Sequence, residues 1–69
     1  GDSRAARKEL QKLERQLVQL DKREAELHAS MAEQASDHDA VIALNTELHA
    51  VRAQKETVES AWLELSDQL

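Results

Sequence analysis

Two runs of apolar residues, each spaced alternately by four and three but out of phase with each other, limit what this 69-residue chain can fold into. The first runs Ala6, Leu10, Leu13, Leu17, Leu20, Leu27 and Met31, with Glu24 in the one slot that breaks it. The second runs Val41, Leu44, Leu48, Val51, Val58, Trp62, Leu65 and Leu69, with Lys55 in its odd slot. Such spacing is the seam of one helix packed along another. Carried straight past residue 31, the first heptad would place His38, Asn45, Arg52 and Glu59 at one class of core position. Burying such groups unpaired costs roughly 1–3 kcal/mol each, and a core of this size supplies only roughly 3–5 kcal/mol in all. The broken phase therefore predicts a turn within QASDHDA, residues 34–40.

That stretch has neither glycine nor proline, so the turn has to be made by caps. Ser36 followed by Asp39 resembles a capping box, and Asp37 and Asp39 suit the positive end of a new helix. Folding back near residue 36 brings Met31 to Val41, Leu27 to Leu44, Leu20 to Val51, Leu13 to Val58, Leu10 to Trp62 and Ala6 to Leu65. The expected fold is all-α, an antiparallel two-helix coiled-coil hairpin. Helix 1 is expected over about 4–34, the turn over about 35–37 and helix 2 over about 38–68, each helix roughly 45 Å long. Residues 1–3 read as a linker end or a remnant outside the fold, and 4–69 as one coiled-coil domain. Glu24 faces Leu48 and Lys55 faces Leu17 in this register, a separation that predicts no direct pair; each head is expected to reach water past the seam. A monomeric hairpin is favoured over a dimer, although a swapped four-helix pairing buries the same seams.

Composition removes several classes of function. With Gly1 the only glycine, no phosphate-cradling loop can form. The chain has no Cys, hence no disulfide or thiolate metal site. His28, His38 and His49 have no pair at i,i+3 or i,i+4 spacing, and Asp37-His38-Asp39 lacks the ligands and glycine of a Ca²⁺ loop. Ser30, Ser36, Ser60 and Ser66 have no positioned base. No metal, cofactor or catalytic residue is expected in this segment, nor a membrane span.

Three stretches carry a resemblance: KELQKLERQL in helix 1, MAEQASDHDA at the turn, and ALNTELHAVRAQKETVESAWLELSDQL in helix 2, with Trp62-Leu63-Glu64-Leu65 the most distinctive run. From about Arg7 onward the chain resembles the C-terminal coiled-coil domain of ABC-F ATPases of the Uup-like group. The resemblance implies a cytoplasmic parent with two upstream ATP-binding cassettes in the same chain, which would use ATP and Mg, and no transmembrane domain. It further implies association with ribosomes or nucleic acid, the appendage serving as a DNA-binding module. No ATP-binding motif lies in this segment to carry over.

Charge is polarised along the chain. Residues 1–23 hold seven Lys or Arg against four Asp or Glu, whereas residues 24–69 hold two against ten, so an overall charge of −5 conceals about +3 and about −8. The candidate nucleic-acid-binding residues are Arg4, Arg7, Lys8, Lys12, Arg15, Lys22 and Arg23. Among them Lys8, Arg15 and Lys22 occupy the outermost heptad position. Such a ridge is ordinarily a solvated face. Its sharper reading is an edge that tracks phosphates with steep salt dependence, opposed by the acidic second helix. Trp62 sits on the seam and offers no stacking platform; it either closes the open end of the core or joins Leu63 and Leu69 in a patch that docks on the parent. The function expected is a non-catalytic accessory module that binds DNA or ribosomal RNA weakly; the alternative is a structural protein-interaction or dimerisation coiled coil.

Overall fold

The computed structural model describes residues 2–69, in two helices: α1, Asp2–Glu33, and α2, His38–Asp67. They lie antiparallel in an all-α hairpin measuring 55 × 14 × 12 Å. α1 takes in Asp2 and Ser3, ahead of the expected start near residue 4, while Gly1 lies outside the described residues.

The turn needs no glycine because none of the described residues has a positive φ. The Gln34 N–H donates to the Ser30 carbonyl at 2.9 Å, closing the last turn of α1, and the Asp37 N–H donates to the Gln34 carbonyl at 2.9 Å within the connecting turn. Asp37 then takes an extended conformation, φ −97° and ψ 98°. Its Oδ1 accepts from the Ala40 N–H at 3.1 Å and its carbonyl from the Val41 N–H at 3.0 Å. The cap is therefore Asp37 and not Ser36. A carboxylate accepts the same hydrogen bond as a hydroxyl and adds a charge where the helix dipole is positive. Asp37→Ala is expected to lower stability by about 1 kcal/mol and Ser36→Ala by less than about 0.5 kcal/mol, measured by urea unfolding; equal losses would reassign the cap.

The two seams meet as expected. Leu27, Leu48 and Val51 form a buried cluster, with Leu20, Met31 and Leu44 packed against it. Leu13 is buried nearer the open end, where Leu10, Leu17, Val58, Trp62 and Leu65 are half-buried. Leu69, expected to close the second seam, does not join it: α2 ends at Asp67, so no helix carries Leu69 onto the seam and it is exposed, as are the off-seam Val18, Ile42 and Leu63.

At mid-rod the expectation that Glu24 and Lys55 stay apart is overturned. Lys55 Nζ lies 2.6 Å from Asp21 Oδ1 and 3.4 Å from Glu24 Oε1, and Arg52 Nε donates to Glu24 Oε2 at 3.0 Å. The cause is the lean of side chains. Each points toward the N-terminus of its own helix, so in an antiparallel pair Glu24 leans away from the turn and Lys55 toward it. Two long side chains thereby close a gap of roughly 10 Å along the axis, the rise of the seven residues from Leu48 to Lys55.

The hydrogen bond from Arg52, followed by that from Lys55, holds the Glu24 carboxyl below its ordinary range despite partial desolvation. Contact with Asp21, then Glu24, raises Lys55 above the usual lysine value. The Glu24 contribution to stability is present above the unfolded pKa of about 4.3 and is lost as pH falls through the lower folded value. The Lys55 contribution is complete below about 10.4 and is lost as pH rises through the higher folded value. Melting followed by circular dichroism should show a loss of Tm below about pH 4.3, with Glu24→Gln lowering Tm at neutral pH and flattening that acid limb. Identical acid limbs in the two proteins would refute the assignment.

Candidate functional site

All seven cations singled out in the sequence lie on α1 and are exposed. They do not behave alike. Arg23 Nη2 contacts Glu47 Oε1 at 2.5 Å, and this hydrogen bond, reinforced by charge, raises the arginine pKa further. Arg23 thus ties α1 to α2, its charge compensated. Arg4, Arg7, Lys8, Lys12, Arg15 and Lys22 form no ion pair with any described residue. Arg4, Arg7 and Lys8 border a shallow depression with Ser3 and Gln11 on the first turns of α1. From Arg4 to Lys22 the ridge extends for roughly 27 Å at helical rise.

Because α1 and α2 lie side by side, two grooves run between them, and their linings are opposite in charge. One is walled by Lys12, Arg15, Gln16 and Gln19 of α1 and by Ala53, Gln54 and Thr57 of α2, over a floor of Leu20 and Val58. Its charged residues are both cations. The other is lined by Glu14, Leu17 and Val18 of α1 and by Glu59, Trp62 and Leu63 of α2, and its charged residues are both carboxylates.

Heptad phase explains the division. The α2 positions beside the basic groove are Ala50, Ala53, Gln54, Thr57, Ser60 and Ala61, all uncharged. Glu56 and Glu59 fall on the far flank. The Thr57 hydroxyl donates to the Ala53 carbonyl at 3.1 Å, which draws the side chain in against its own helix. The acidic character of α2 therefore does not reach the basic groove between residues 50 and 61. Sequence reasoning placed every candidate on α1 and missed this contribution of α2; projecting α2 on its own heptad carries the signal.

On the acidic side the Trp62 indole N–H donates to Glu14 Oε1 at 3.2 Å. Trp62 is half-buried, one face against the seam and its N–H satisfied at the surface. Among the described residues no group of three His, Asp or Glu side chains could hold a metal ion. No helix among them is long and apolar enough to cross a membrane.

The chain is thus an elongated all-α hairpin with two open grooves of opposite charge. The family described as the ABC transporter C-terminal domain matches residues 2–67, and the chain belongs to it. No curated protein and no solved structure matches the chain.

Proposed function

We propose that this hairpin is the non-catalytic C-terminal appendage of a cytoplasmic ABC-F type ATPase and that it holds DNA or RNA by the phosphodiester backbone. ATP and Mg would be handled by cassettes elsewhere in the same chain. The observation that carries the reading is the one-sided charge. Lys12 and Arg15 wall a groove with no carboxylate lining, and Lys8 and Lys22 extend the same outer line on α1.

Backbone contacts of this kind position a duplex or strand without reading its sequence. The glutamines and Thr57 beside the cations add uncharged hydrogen-bonding groups, and Ala53 keeps the α2 wall low. Trp62 lies on the other groove, so base stacking plays no part. Arg23, already paired with Glu47, contributes least of the seven candidates. The test is fluorescence anisotropy of a labelled duplex and of a labelled RNA hairpin titrated with the protein across a salt series. Binding that weakens steeply with salt and is indifferent to sequence supports the reading. No binding at low salt sinks it and leaves the hairpin a structural or protein-interaction coiled coil.

A further inference from the structure

The acidic groove on the opposite side has a separate use, one that does not depend on nucleic-acid binding. We propose that the groove between Leu17-Val18 and Trp62-Leu63 docks an amphipathic helix of a partner protein whose apolar stripe is flanked by lysine or arginine.

Val18 is 64% and Leu63 57% exposed. Both stand one position outside the seam, where closing the hairpin cannot bury them. Unlike Ile42 and Leu69, which are also exposed, these two line one groove, together with the half-buried Leu17 and Trp62. Single exposed apolar residues need no explanation. Four in a row across two helices make an apolar strip, and the bond to Glu14 fixes the indole as one wall of it. Tryptophan is among the residues most enriched at protein-binding hot spots, and here it is half-buried with one edge of the groove open beside it.

Charge selects the occupant. Glu14 and Glu59 line the groove and Glu56 lies one turn from Glu59 on the same flank, with no cation in the lining. Nucleic acid and anionic membrane surfaces are repelled. A second copy docking face to face about a twofold axis would set carboxylates against carboxylates. A helix with apolar residues at i, i+3 or i+4 and i+7 fits between two helices as a third, and basic residues beside that stripe meet Glu14, Glu56 and Glu59.

Trp62 is the chain's one aromatic residue, so its emission reports this groove alone. The probe is a synthetic amphipathic peptide of about 14 residues, roughly four helical turns, with leucine on one face and lysine on its flanks. Its counterpart carries glutamate for lysine. The lysine peptide is expected to shift Trp62 emission to the blue in a saturable titration, and the glutamate peptide to leave it unchanged. Val18→Ser with Leu63→Ser should weaken binding by about 10-fold or more while helical circular dichroism is retained, both positions being exposed. Glu56→Lys with Glu59→Lys should also weaken it, whereas Lys12→Gln with Arg15→Gln on the other groove should not. The proposal is overturned by no saturable shift, by equal binding of the glutamate peptide, or by affinity indifferent to the Val18 and Leu63 changes. It is equally overturned if a duplex oligonucleotide, or raised protein concentration with a doubled mass, produces the same shift.

Discussion

Leu27→Ala is expected to leave the hairpin largely unfolded at room temperature. Leu27 is 1% exposed, the most deeply buried side chain among the described residues, and it sits where Leu48 and Val51 of α2 close over α1. Removing its side chain loses the transfer free energy of the buried carbons and leaves a gap that two helices cannot close without sliding, a loss of about 2–5 kcal/mol. A small domain of this size holds only about 3–5 kcal/mol in total. Among the described residues only Leu13, Leu27, Leu48 and Val51 are buried apolar side chains, and the one cluster among them contains Leu27. Urea titration followed by helical circular dichroism measures the effect, with Ile42→Ala as the comparison. Ile42 is 52% exposed and should change stability by less than about 0.5 kcal/mol. A Leu27→Ala loss below about 1 kcal/mol, outside the range for such buried leucines, would mean that the seam is not what holds the helices together.

The second large effect concerns the basic ridge. If Lys8, Lys12, Arg15 and Lys22 each neutralise one phosphate, the logarithm of the association constant falls with the logarithm of salt at a slope of about −3.6. That slope amounts to about 150-fold weaker binding between about 50 and about 200 mM salt. Replacing all four by glutamine keeps good helix formers on exposed positions and removes the like-charge repulsion between Lys8 and Lys12, so the fold is retained. The slope should drop by about one for each contact removed, and binding at low salt should fall by a factor of about 100 or more. Arg23→Gln should barely move the slope and should instead lower melting temperature, because it breaks the contact with Glu47. A quadruple variant that binds as well as the parent protein, at the same slope, would remove the basis of the proposed function.

How much of this was legible follows from what a heptad encodes. The seam residues short of Leu69, the fold-back and the stretch that makes the turn could be read from apolar spacing, because a phase break leaves a continuous helix no tolerable core; Leu69 keeps the spacing but lies past the last helical turn. The cap was misplaced by one residue. Ser36 and Asp37 both carry a side-chain oxygen suited to the job, and only the extended backbone at Asp37 distinguishes them. The mid-rod ion cluster was missed for a different reason. Matching residues layer by layer treats side chains as perpendicular to the axis, whereas Lys55, Glu24 and Asp21 meet by leaning along it. The same lean brings Glu14 to Trp62. The ridge of cations on α1 was visible as a charge pattern, but the division into two grooves was not, because it depends on which flank of α2 carries Glu56 and Glu59.

The hairpin brings residues 2 and 69 out at one end and leaves Gln34–Asp37 at the other, with 55 Å between the extremes. A body so slender acts as a pointer. A rotation at the open end displaces the tip in proportion to that length, less whatever bending the softest stretch of the rod allows. At mid-length the ion pairs among Asp21, Glu24, Arg52 and Lys55 tie the two helices across the seam, where they oppose one helix sliding along its neighbour.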